Sequence, residues 1–161
     1  MELYRAVFLA REVDRVEMEL VHRGEGFFHV GGAGHEASAA LQTHLISDDW
    51  LHLHYRDKAL MIARGLPLDQ FFHSLLCTAQ SHSAGRQMSA HLSAPELHLL
   101  SLVGPVGNQA LQTVGVAHEI RNQSSSPLVV CAMGDGTSQQ GEVLEAIAEA
   151  VRAQLPVLFL V

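Results

Sequence analysis

From Leu3 to Leu20 the apolar positions Leu3, Val7, Ala10, Val13, Val16 and Leu20 recur every three or four residues, which places them on one face of a helix. The pattern predicts an amphipathic helix that closes near Arg23-Gly24, where glycine accepts the left-handed conformation of a helix end. Gly31, Gly32 and Gly34 predict an irregular stretch before a helix that starts near His35. Residues 54–66, with Asp57 near the start and Gly65 near the end, read as a short helix, and after Pro67 a second runs through Phe71, Phe72 and Leu75. A loop bearing glycine and histidine follows over residues 81–92. Residues 108–121 return to helix through Ala110, Leu111, Val114 and Ala117, and the polar run 122–126 ends it.

The last third carries the plainest pattern. Leu128-Val129-Val130-Cys131-Ala132-Met133 is a short apolar run rich in β-branched residues, as a buried strand requires. Val143, Ala146, Ile147, Ala150 and Val151 then share one helical face, with Glu142, Glu145, Glu149 and Arg152 elsewhere around it. A second apolar run over residues 156–161 completes strand, helix, strand, a βαβ unit whose strands run parallel. The fold class is α/β, and no repeat or low-complexity tract interrupts it.

Composition narrows the function. With 161 residues, 48% of them hydrophobic, a single domain over 1–161 is the expectation. The net charge of −7 arises from 17 acidic against 10 basic residues, and the basic residues are dispersed, which argues against nucleic acid as a partner. Cys77 and Cys131 lie among apolar residues without CxxC spacing and read as buried reduced thiols, suiting a reducing compartment. No apolar run approaches the roughly 20 residues that cross a bilayer, and the charged first segment is unlike a secretory signal, so no membrane partner and a cytoplasmic location are expected.

Candidate chemistry centres on Met133-Gly134-Asp135-Gly136-Thr137, a strand-to-helix turn where parallel sheets bind ligands. Two glycines admit a bulky anion to the backbone N–H groups, and the carboxylate between them suits a hard cation such as Mg²⁺ shared with phosphates. Taken alone, Gly-Asp-Gly also makes ordinary turns. The eleven histidines include His52 and His54 at strand spacing and His82 and His91 in a loop, but no zinc-binding spacing accompanies them.

Residues 134–161, GDGTSQQGEVLEAIAEAVRAQLPVLFLV, resemble the thiamine-diphosphate motif that opens with Gly-Asp-Gly and closes, after a helix and a strand, in Asn-Asn. Gly141, Glu145, Ala146 and Leu155-Pro156-Val157 are similar to the version found in α subunits of the decarboxylating component of pyruvate and branched-chain 2-oxoacid dehydrogenases. GFFHVGGAGHEA (26–37), HYRDKALMIARG (54–65), GRQMSAHLS (85–93) and VGPVGNQALQTVG (103–115) resemble segments of the same family in the same order, the third resembling branched-chain members in particular. The chain ends at Val161, before the Asn-Asn.

The resemblance implies a thiamine-diphosphate-binding fold, a parallel sheet flanked by helices and incomplete at its C-terminal side. It implies that Tyr55, Arg56, Gly136 and Thr137 anchor the diphosphate with Gly134 in the turn, that Asp135 holds Mg²⁺, and that Gly104 and Val106 lie beside the aminopyrimidine, Val106 wedging the cofactor into its bent shape. Read without the family, Val106 is a core residue, Arg56 an exposed helix-start arginine and Tyr55 a packed one. Asn108 and Gln109 fall near a monovalent-cation site of branched-chain members, yet Val103 stands where a serine is used, and that cation is not expected. The implied reaction is oxidative decarboxylation of a 2-oxoacid, branched-chain or pyruvate, with acyl transfer to a lipoyl carrier. The implied partners are a β-type subunit in an α2β2 assembly, a lipoyl acyltransferase component and the small 2-oxoacid. The family's cofactor-activating glutamate belongs to the β subunit, so no catalytic residue is assigned and the lone chain is expected to be inactive. A truncated non-catalytic module and an acetoin dehydrogenase α subunit are the alternatives.

Overall fold

In the computed structural model, which describes residues 1–161, the first apolar stripe forms α1 (Glu2–His22), and Gly24 closes it with φ +76° and an N–H donated to the Val21 carbonyl at 2.9 Å. The buried face of α1 carries Ala6, Ala10 and Val13, and with them the acids Asp14 and Glu17. The helix predicted near His35 is a 3-10 run, Glu36–His44. α2 (Lys58–Arg64) starts after Asp57 and ends at Gly65, whose φ of +110° is left-handed. α3 (Leu68–Leu75) follows Pro67 and buries Phe71 and Leu75. Ala10, Ala39 and Ala59 pack together, flanked by Val7, Ile62 and Ala63, so small residues let α1, the 3-10 run and α2 approach closely. These elements lie in one of two compact units, Met1–Leu45 with Tyr55–Leu97.

The second unit, Ile46–His54 with His98–Val161, holds a three-stranded parallel sheet. β1 (Trp50–His52) pairs with β2 (Val129–Ala132), and β2 with β3 (Val157–Leu160), Trp50 lying opposite Val129 and Val129 opposite Val157. α4 (Asn108–Ile120) and α5 (Gly141–Arg152) pack on one face of this sheet, joining Ala110, Val114, Val143, Ala146 and Ala150 to Cys131 and Met133. The α/β class and the parallel βαβ unit are therefore present as the pattern predicted. β1 was not foreseen, since three residues are too few for periodicity to show; Leu99 bridges its free edge beside Leu51.

Three packing expectations need correction. Ile147 and Val151, placed on the buried face of α5, are exposed, Val151 at 74%, because α5 meets its core through Val143, Ala146 and Ala150. Leu111 of α4 is exposed in the same way. Cys77 is only half-buried, lying just past α3 at a left-handed φ of +52°, whereas Cys131 is wholly buried in β2.

Candidate functional site

The turn after β2 is built from short-range hydrogen bonds. Thr137 donates its N–H to the Gly134 carbonyl, Gln140 donates to that of Thr137, and Ser138 Oγ donates to the Asp135 carbonyl at 2.6 Å. These close a 3-10 turn, Asp135–Gln139, which leads into α5. The backbone is thus fixed without help from the Asp135 side chain, which is exposed and makes no hydrogen bond or ion pair. A Cβ on Gly136 would meet nothing within 4 Å, so the space beside the turn is open. An unpaired carboxylate at the carboxyl end of a parallel strand, next to open backbone, supplies an oxygen donor of the kind Mg²⁺ takes. The residues present fit a metal-bridged diphosphate on this side.

Beside this turn stands the loop that enters α4. Gly107 caps α4 at φ +88°, and a Cβ there would come within 2.9 Å of the Gln140 side chain. Gly107 therefore passes close to Gln140, the residue that ends the 3-10 turn after β2. Gly104 is exposed, and Val106 is 59% exposed, so the reading of Val106 as a core residue is wrong. Gln109 is buried and spends its amide on the Ala132 carbonyl at 3.3 Å.

Tyr55 and Arg56 belong to the other unit, in the turn preceding α2. Arg56 is half-buried rather than the exposed helix-start residue its bland reading implied. Its Nη1 donates to the Gly31 carbonyl at 2.6 Å, and its guanidinium lies 5.3 Å from the centre of the Tyr55 ring. Tyr55 in turn stacks on His91, ring centres 5.9 Å apart, and His91 is buried with Nδ1 hydrogen-bonded to the Ser89 carbonyl. A planar guanidinium is suited to paired hydrogen bonds with oxyanions.

Sequence reasoning missed a buried charge cluster in this unit. Lys58, 1% exposed, donates to Asp14 Oδ1 at 2.6 Å and to Glu17 Oε2. Asp14 Oδ2 accepts the Gly32 N–H at 2.7 Å, and His29 Nδ1 lies 3.2 Å from Glu17 Oε2. Burial pushes the Glu17 carboxyl above its ordinary range, partly offset by Lys58, and burial together with Lys58 draws His29 below its own. Asp14, Glu17 and His29 have ligand atoms within 4.8 Å of one another, but the Lys58 ammonium is bonded to both carboxylates and already supplies the cation. One signal was available: Ala10, Asp14 and Glu17 stand at i, i+4 and i+7, which puts two acids on the apolar face.

The carboxylate between glycines stands after the central strand of a parallel sheet, the place where α/β proteins bind ligands. The sequence matches the family described as dehydrogenase E1 component over residues 4–161, and the chain belongs to that family. It is 25% identical over 164 residues to the mitochondrial 2-oxoisovalerate dehydrogenase subunit alpha of Mus musculus and 26% identical over 163 to that of Homo sapiens. It is 31% identical over 162 residues to the pyruvate dehydrogenase E1 component subunit alpha of Bacillus subtilis. In each case 99% of this chain is aligned, but it spans only 36% of the two mitochondrial relatives and 41% of the bacterial one.

Proposed function

We propose that this chain is the cofactor-binding portion of the α subunit of a 2-oxoacid dehydrogenase, folded as a thiamine-diphosphate-binding domain and acting with a β-type subunit. The observation that carries the reading is the free carboxylate of Asp135, set between two glycines at the end of β2 where its turn is already satisfied without it. Asp135 would hold Mg²⁺, with Gly134, Gly136 and Thr137 forming the turn around the metal-bridged diphosphate. Arg56, steadied by Gly31 and by the Tyr55 ring, would pair with diphosphate oxygens. Val106, whose exposure burial in a core does not explain, would press its apolar surface on the cofactor beside Gly104. Thiamine diphosphate, when bound, supplies the electron sink for cleaving the bond between a keto carbon and its carboxylate.

The chain's own share is to bind and orient. No acid or base among these residues is assigned to move a proton, and that work falls to the partner subunit, which leaves the lone chain inactive. The acyl group would pass to the lipoyl arm of an acyltransferase component. The loop GRQMSAHLS favours a branched-chain 2-oxoacid over pyruvate as substrate.

Calorimetric titration of thiamine diphosphate, with and without Mg²⁺ and with a β-type subunit present, tests the reading. Binding should require Mg²⁺, and Asp135→Ala should abolish it while the protein stays folded. Equal affinity in the Asp135→Ala variant would remove the metal from this turn, and no binding to the unaltered protein would sink the enzyme reading.

A further inference from the structure

Two features converge on Arg56 from the glycine turn at residues 31–32. The Gly31 carbonyl accepts from the guanidinium, and Gly32 packs so tightly on the Arg56 backbone that a Cβ would lie 2.7 Å from the Arg56 carbonyl oxygen. The turn therefore grips this residue at both its side chain and its main chain. What holds the turn is Asp14: one carboxylate oxygen accepts the Gly32 N–H, the other the Lys58 ammonium, and Asp14 is 8% exposed. Lys58 lies at the start of α2, two residues after Arg56, so the same pair ties α1 to the segment that carries the arginine. A salt bridge this deeply buried gives little net stability, since removing both charges from water costs about what their attraction returns. Its geometry is better explained by what it orients.

We propose that Asp14 is a positioning residue for diphosphate binding, acting at a distance from the ligand by fixing the Gly31–Gly32 turn that aims Arg56. The inference rests on the reading of Arg56 given above and extends it to a buried helix residue that touches no ligand. An asparagine at position 14 offers one oxygen where two donors converge, and its amide would face an N–H or an ammonium. The turn is then released while side-chain size is kept.

The test is a double-variant cycle on thiamine-diphosphate affinity, measured by calorimetry with Mg²⁺ on the chain assembled with a β-type subunit. Arg56→Ala should weaken binding roughly 10- to 100-fold, as loss of a charge-assisted contact does. Asp14→Asn should weaken it roughly 10-fold in the native background and less than about 2-fold beside Arg56→Ala, because it acts only through that arginine. Gly32→Ala, which changes no charge, should show the same dependence and covers the case in which Asp14→Asn does not fold. Equal losses in both backgrounds would mean that Asp14 and Gly32 serve the fold alone, and undiminished affinity in folded Asp14→Asn or Gly32→Ala protein would end the proposal. If Arg56→Ala itself binds normally, the assignment of Arg56 to the diphosphate is what fails, and the positioning role falls with it, while Asp135 is judged by its own titration.

Discussion

His52 sits inside the sheet with Nε2 2.9 Å from the Ser101 carbonyl and Nδ1 buried without a partner. A proton on Nδ1 would have no acceptor, and burial accordingly lowers the affinity of this ring for a second proton; His29 is shifted the same way. In the unfolded chain both would titrate near their ordinary value of 6.5. Below that pH the unfolded state binds more protons than the native one, so the stability these rings allow is full above about pH 6.5 and falls as the pH drops through it. Urea denaturation at pH 7.5 and 5.5 should show lower stability at the acid end, and His52→Gln, which keeps a donor toward Ser101, should reduce the difference. An unchanged pH dependence in that variant would mean that His52 protonates freely in the fold. Single residues were legible where their conformation is local: Gly24 and Gly65 both end helices at positive φ. Lys58 was opaque, because its partners Asp14 and Glu17 lie 44 and 41 residues away and only folding discloses the pairing.

At the scale of elements, Gly107 and Gly136 have opposite tasks within one unit. Gly107 is confined by its left-handed φ and by Gln140, so Gly107→Ala should destabilise the protein by about 1–2 kcal/mol from backbone strain, before any clash is counted. Gly136 has free space and no positive φ, so Gly136→Ala should fold normally and, if the turn faces a diphosphate, bind thiamine diphosphate less well. Chemical denaturation and calorimetry separate the two effects; a large stability loss in Gly136→Ala would contradict the open turn. The long periodic elements, α1, α4 and α5, and the apolar strands β2 and β3 could be read before folding because each displays its own period. The 3-10 form of Glu36–His44 could not, since its apolar spacing resembles that of an α-helix. The surplus apolar residues of α5, Ile147 and Val151, also misled, for periodicity marks a face and not how much of it is covered.

Across the whole molecule, chain order and spatial grouping part company. Residues 46–54 belong with 98–161, although the first unit surrounds them in sequence. Asp49 secures this long-range closure: its two carboxylate oxygens accept from the N–H groups of Ile46 and Leu128, both at 2.8 Å, and it is 3% exposed. Asp49→Ala should cost about 1–3 kcal/mol by leaving buried donors unmade, measured by urea denaturation, and a loss within error would show that water replaces the carboxylate. Such interleaving is invisible to local periodicity, and a strand as short as β1 adds no signal of its own. It matters most during synthesis. Trp50 pairs with Val129, a separation of 129 − 50 = 79 residues, so β1 leaves the ribosome roughly 4 to 16 seconds before its partner strand at ordinary elongation rates. Through that interval the edge of Trp50–His52 that will meet β2 has no partner strand, and the order of translation makes chaperone shielding of this edge most useful before residue 129 appears.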